Sequence, residues 1–368
     1  MSSNKQHIDY IFLFTVMALN ALGAIMVFSA SPTMALKLGD SYFYLKRHIL
    51  YLLLGFSAMY LGARLDLKAV KKWSGLLLII SVCLLFLVYI PGVGQRISGA
   101  ARWINLLIIS FQPSELIKFT VVVFLARMLA ASGQRIKKFL FGLLPPLLLV
   151  GVVCALIVSQ PDLGTAIAIA ATSFIMIFTA GAELWHLGIL GLAGLAGVIA
   201  LSLSSPYRLR RLMAFIDPWQ DPQGVGFHIV QSLLAVGSGG LFGLGLGASR
   251  QKFFYLPQQF TDFIFAILCE ELGFIGGTAV IALFLLFALR GFRIAMTVSD
   301  RFCSLMVTGL VSWLIIQALI NLMVVLGLLP TTGIPLPFIS YGGTATIINL
   351  FASGVILRVS AEREAVER

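Results

Sequence analysis

The chain has 368 residues, 59% of them hydrophobic and only 11% charged, with a formal net charge of +11 and a mean hydropathy of +1.00. A soluble domain carries about 25% charged residues and still shows water a large surface, so this composition excludes a soluble cytosolic enzyme, a disordered chain and a disulfide scaffold. It describes a polytopic membrane protein whose surplus Lys and Arg orient loops and do not bind nucleic acid.

A membrane-spanning helix needs about 20 mostly apolar residues. Runs of that kind occur at about 9–30, 46–63, 73–91, 113–131, 139–159, 163–181, 185–204, 263–289, 302–327 and 342–359. They predict an all-α fold of ten transmembrane helices in a single domain, 1–368. The polar start Met1 to His7 is not followed by a small-residue cleavage site, so the first run reads as a retained helix. With the amino terminus inside, the cytoplasmic segments hold fifteen Lys and Arg, from Lys5 to Arg368. The short outer loops hold five: Lys37, Lys46, Arg47, Arg96 and Arg102. That excess predicts both termini in the cytoplasm. One connection is long, about 205–262 between the seventh and eighth spans on the outer side, and connections of this length are usually functional. The cysteines Cys83, Cys154, Cys269 and Cys303 lie in apolar runs without metal-type spacing and read as small buried hydrophobes.

Charge beside or within lipid is costly, which makes each ionisable residue there a functional candidate. Glu115 and Lys118 open the fourth span three residues apart, on one helix face, after a Pro113 suited to a first turn. They read either as a structural ion pair or as the polar wall of a substrate cavity, and in both cases they face the bundle. Asp162, in Gln160-Pro161-Asp162-Leu163, is a helix cap or a site residue. The long loop carries Arg208, Arg210 and Arg211 near its start, and arginine forks suit phosphate oxygens. Its glycine-rich stretch, Gly237 to Gly247, lacks dinucleotide-fingerprint spacing and reads as a re-entrant or tightly packed segment. Asp262 ends the loop among Phe260, Phe263 and Phe265; it could cap the eighth span, or serve as a general base with its pKa raised by apolar surroundings. Glu270 and Glu271 lie about two turns further on. The uncharged segment 330–343 holds three prolines, an irregular backbone that must line a cavity or be buried in protein.

The runs FQPSELIK (111–118), QPDLGTA (160–166), YRLRRLMAFIDPWQDPQG (207–224), QSLLAVGSGGLFGLGLG (231–247), TDFIFAILCEELGFIG (261–276) and GIPLPFISYGG (333–343) resemble the SEDS family, named for shape, elongation, division and sporulation. The resemblance covers essentially the whole chain. The segments around Trp219 and 251–257 resemble the FtsW and SpoVE branch more than the RodA branch. It implies a ten-helix peptidoglycan glycosyltransferase of the bacterial inner membrane that polymerises lipid II on the outer face during cell division. The partners implied are lipid II, an undecaprenyl-pyrophosphate-linked glycan, membrane lipid, a class B penicillin-binding protein and other division proteins. The family's essential acid falls on Asp262, and its Glu/Lys pair on Glu115 and Lys118. The family commonly reads Pro-Glu-x-His before Thr-Asp, where this chain has Pro257-Gln258-Gln259-Phe260, so a carboxylate and an imidazole beside Asp262 are replaced.

In the implied reaction Asp262 takes the proton of the acceptor 4-hydroxyl, which displaces undecaprenyl pyrophosphate from the donor. Arg102, Arg208, Arg210 and Lys118 are the cations for the leaving group, with Glu115 and Asp162 also lining the substrate site. A divalent cation, magnesium or manganese, would be held mostly by substrate phosphates, because no clustered metal-ligand set is present. The rival readings are a lipid II flippase, a scaffold for the penicillin-binding protein, and an elongation or sporulation role.

Overall fold

The computed structural model describes residues 8–90, 94–97, 100–106, 109–253 and 256–362. Lys5, Arg363 and Arg368 of the charge comparison lie outside them, as do Phe254 and Tyr255 and the side chain of Arg96. α1 (Tyr10–Ala30) leads through a short α2 (Pro32–Ala35) to α3 (Phe43–Gly62) and α4 (Leu67–Leu87). Three strands follow: β1 (Gly94–Ile97), β2 (Ala100–Leu106) and β3 (Ile109–Phe111). Next come α5 (Pro113–Ser132), α6 (Leu144–Ser159), α7 (Leu163–Thr179) and α8 (Leu184–Leu203). The long connection contains α9 (Pro206–Ile216) and α10 (Phe227–Ser238). α11 (Ile264–Thr297), α12 (Arg301–Val325) and α13 (Gly343–Ser360) complete the helices.

Each of the ten expected runs coincides with a helix, and among the described residues eight helices are long and apolar enough to cross a membrane. The other two runs are α3 and α7. In α3, Lys46, Arg47 and His48 lower the hydropathy of the first turns. In α7, 17 residues reach about 25 Å against a hydrocarbon core of about 30 Å. Asp9 accepts from Phe12 N at 3.0 Å to cap α1, pairs with Arg290 of α11 at 2.7 Å, and donates its own N–H to Ser360 Oγ at 3.2 Å. The start of α1 and the end of α13 therefore meet at one end of the bundle. α12 and α13 are buried along most of their length, whereas α8 is exposed on nearly every side.

The expectation of an all-α chain needs one correction. β1, β2 and β3 form an antiparallel sheet in that order, with Gly94 opposite Ile104 and Ile104 opposite Phe111. β-branched and aromatic residues such as Trp103, Ile104 and Phe111 favour a pleated surface. These strands are too short to register in a search for runs of 20 apolar residues.

α11 is interrupted at Gly273 (φ 68°, ψ −165°), and the glycine-rich segment fills the break. Leu244 N and Gly245 N donate to the carbonyls of Glu270 and Glu271 at 3.0 Å each. On the far side of the break, Phe274 N and Ile275 N donate to Gly240 O and Leu241 O at 2.8 and 3.2 Å. The main-chain groups freed by the interruption are thus paired by a second segment, as an interrupted helix in lipid requires. A Cβ on Gly243 would come within 2.1 Å of Glu271 O, so backbone this close admits only glycine.

Candidate active site

The site is assembled at the bundle end opposite Asp9. Gln259 Nε2 donates to Ala30 O at 2.8 Å and fixes the turn before α11 against the far end of α1. Glu270 and Glu271 hold the preceding loop. Glu270 accepts from Arg250 N at 2.9 Å, and Glu271 accepts from Ser29 Oγ at 2.6 Å and pairs with Lys252 at 3.2 Å. These two buried carboxylates therefore have anchoring partners, which sequence reasoning had not supplied.

Asp262 sits partly buried in that turn. Asn321 Nδ2 donates to its carbonyl oxygen at 2.7 Å, Ser340 Oγ donates to Thr261 O, and Tyr341 N donates to Phe260 O at 2.9 Å. The carboxyl faces Gly333, whose missing Cβ would lie 3.7 Å from Oδ2. Asp162 caps α7 by accepting from Thr165 N at 3.2 Å, and its Oδ2 lies 3.7 Å from Arg102 Nη1. Asp162 is thus a cap, and its second oxygen faces Arg102. Arg102 reaches it from β2, with Nε donating to Gln160 O at 3.0 Å and Nη2 to Pro161 O.

Arg211 reaches the same site from α9. Its Nη1 donates to Thr331 O at 2.8 Å and its Nη2 to the Tyr207 hydroxyl, with the guanidinium 4.5 Å from the centre of the Tyr207 ring. Burial pushes the Asp262 carboxyl up to about 6; Arg211 and Arg102 oppose that rise and Asp162 adds to it. His228, stacked on Phe263 with ring centres 5.8 Å apart, is held below its ordinary value by burial and by Arg211.

The structure separates the three loop arginines. Arg208 Nη1 donates to Leu201 O at 3.0 Å, which commits it to the end of α8, and Arg210 is exposed. Arg211 is the one whose charge acts on Asp262. Of the two singled out from sequence, Arg208 is thus bonded at the end of α8 and Arg210 lies on the surface. The available signal was spacing: Tyr207 and Arg211 are four residues apart and share a helix face.

Glu115 and Lys118 form a buried ion pair at 2.8 Å, each side chain 3% exposed. Lys118 Nζ also donates to Gln317 Oε1 at 3.1 Å and lies 5.4 Å from the centre of the Trp313 ring. A narrow crevice beside it is lined by Thr172, Ser173 and Trp313. Among the described residues, no three His, Cys, Asp or Glu side chains converge as metal ligands.

Comparison with known proteins identifies the family. The FtsW/RodA/SpoVE family model, described as "Cell cycle protein", matches residues 9–365. Stage V sporulation protein E of Bacillus subtilis (strain 168) is 47% identical over 98% of this chain and 99% of its own length. The probable peptidoglycan glycosyltransferase FtsW of Geobacter sp. (strain M18) is 43% identical over 96% of each chain. A solved structure titled "Structural coordination of polymerization and crosslinking by a peptidoglycan synthase complex" superposes with a TM-score of 0.82 at 31% identity, covering 98% of this chain and 99% of that one. The rod shape determining protein RodA of Thermus thermophilus superposes with a TM-score of 0.73 at 30% identity, covering 97% of this chain and 98% of that one. The helical framework, the family model and the full-length relatives agree: the chain belongs to the FtsW/RodA/SpoVE family.

Proposed function

We propose that this chain is a peptidoglycan glycosyltransferase that polymerises lipid II into β-1,4 glycan at the outer face of the bacterial inner membrane. In this reading it crosses the membrane ten times, both termini are cytoplasmic, and the loop from about 205 to 262 is extracytoplasmic. The observation that carries the proposal is that Asp262, its acidity weakened by burial, feels the charges of the Arg102 and Arg211 guanidinium groups at the bundle end away from Asp9 and Ser360. The names borne by the FtsW relatives supply the reaction class.

Asp262 acts as general base on the 4-hydroxyl of the acceptor sugar. The freed oxygen attacks the anomeric carbon of the lipid-linked donor as the bond from that carbon to pyrophosphate oxygen breaks. The proton passes to the Asp262 carboxylate, the electron pair leaves with undecaprenyl pyrophosphate, and attack from the far side turns an α-linked donor into a β-linked product. Charge growing on the leaving group is met by Arg102 and Arg211, cations already held in place by main-chain acceptors. Glu115 and Lys118 form a wall of the substrate cavity, with the lysine fixed by Gln317. Asp162 orients Arg102. Any divalent cation would rest mainly on substrate phosphates.

The reading includes a class B penicillin-binding protein as partner, supplying cross-linking; the similar solved structure is of a peptidoglycan synthase complex that couples polymerization and crosslinking. Cell division is the role proposed first. Similarity to stage V sporulation protein E favours spore formation as the second. Rescue of a host lacking its FtsW, against rescue of a sporulating host lacking its SpoVE, separates them. The activity is tested with labelled lipid II and the purified complex: polymer from the parent and none from Asp262→Asn is expected. Undiminished polymer from that variant removes Asp262 as base. Movement of lipid II across vesicles without any extension would instead favour a flippase.

A further inference from the structure

α12 carries three buried polar side chains four residues apart on one face: Trp313, Gln317 and Asn321, each 1% exposed. Asn321 gives both Nδ2 protons to main-chain oxygens, to Asp262 O at 2.7 Å and to Ile334 O at 2.8 Å. With two carbonyls as neighbours, the amide has one sensible orientation. One turn away, Gln317 Nε2 donates to Pro335 O at 3.4 Å, and its Oε1 accepts from Lys118 Nζ at 3.1 Å and Trp313 Nε1 at 3.0 Å.

The shared acceptor segment begins after Gly333 (φ 78°) and contains Pro335 and Pro337, which have no N–H to give to a helix or a ladder. Its carbonyls at 334 and 335 instead find partners on α12. The same short piece of backbone therefore references both charged centres, Asp262 through Asn321 and Lys118 through Gln317.

We infer that Asn321 is a positioning residue for Asp262: by tying the carbonyl of Asp262 to that of Ile334, it sets where the carboxyl stands against Arg102, Arg211 and Asp162. This rests on the reading of Asp262 as general base. Asn321 touches main chain on both sides, so it acts through Asp262 and not on substrate. Misplacing a reacting group by about 1 Å costs on the order of a hundredfold in rate, and removing the tether frees both segments at once.

The test uses the purified complex with its transpeptidase partner and labelled lipid II, comparing the parent with Asn321→Leu and Asp262→Asn. The expected result for Asn321→Leu is a fall in kcat of about tenfold or more with KM for lipid II within about twofold. The acid limb of its pH profile should also shift. That limb is set by Asp262 among Arg102 of β2, Asp162 before α7, Arg211 of α9 and His228 of α10. A variant that is merely less stable contains less active protein and leaves the acid limb in place. A kcat within about twofold of the parent, or an unmoved acid limb, overturns the inference. If the leucine variant does not reach the membrane, Asn321→Ser is read by the same criteria. Asp262→Asn separates the two claims: full activity there overturns the base assignment, whereas its loss beside an unaffected Asn321 variant overturns the positioning role alone.

Discussion

Arg211 Nη1 lies 2.8 Å from the carbonyl oxygen of Thr331, so a residue on the short helix after α8 is tied to the loop that ends α12's excursion toward α13. The tie holds the Arg211 guanidinium where its charge reaches Asp262. Arg210, its immediate neighbour, is exposed. Loss of one preorganised donor to a developing anion costs about a hundredfold or more in kcat. Arg211→Ala should show such a loss in lipid II polymerisation, while Arg210→Ala stays near the parent. Equal effects from the two variants would show that the loop acts by overall charge.

The pH dependence of activity should follow Asp262. A base must be deprotonated, so turnover should rise with pH through about 6, well above the ordinary carboxyl value of 3.8. Stability runs the other way. Because the folded value is raised, the contribution of this group is fully present below about 3.8 and is lost as pH rises through about 6. Acid loss of activity in this window is thus not unfolding driven by Asp262. Rate profiles and thermal melts recorded on the same samples check both signs, and Asp262→Asn should flatten this group's part of the melting curve.

The Glu115–Lys118 pair is buried at 2.8 Å, which makes its two halves unequal to its whole. Lys118→Met leaves a buried carboxylate without its cation, and such a change costs about 3–5 kcal/mol. The double variant Glu115→Leu, Lys118→Met removes both charges and should recover most of the lost melting temperature. If the pair lines the substrate cavity, polymerisation stays low in the recovered double variant. Recovered activity would make the pair purely structural.

Two glycines with positive φ should respond differently to alanine. At Gly273 a Cβ would sit 2.3 Å from Gly243 N, inside the docked break of α11. At Gly240 (φ 54°) nothing lies within 4 Å. Gly240→Ala should cost about 1–2 kcal/mol from backbone conformation alone. Gly273→Ala must also separate two backbones, so it should reduce the folded yield well beyond that, as read by monodisperse protein after extraction.

The class of protein and the placing of its long apolar helices were legible in the chain because lipid imposes the same demand at every position along a helix. About 20 apolar residues must follow one another, and charge must stay outside. The same scarcity drew attention to Asp262, Glu115, Lys118 and Asp162, since few charged residues sit in or beside apolar runs. Three things depended on tertiary packing. The strands at 94–111 deliver Arg102 although they are too short for any span pattern. The choice between Arg210 and Arg211 turned on which face of α9 meets the bundle, because successive helix residues point about 100° apart, and Arg208, on the face of Arg211, is set apart by its bond to Leu201 O. Asn321 drew no notice in sequence, being one neutral amide in an apolar helix. Its importance comes from two main-chain oxygens, 59 residues before it and 13 after it, which only the folded chain brings to the same side chain.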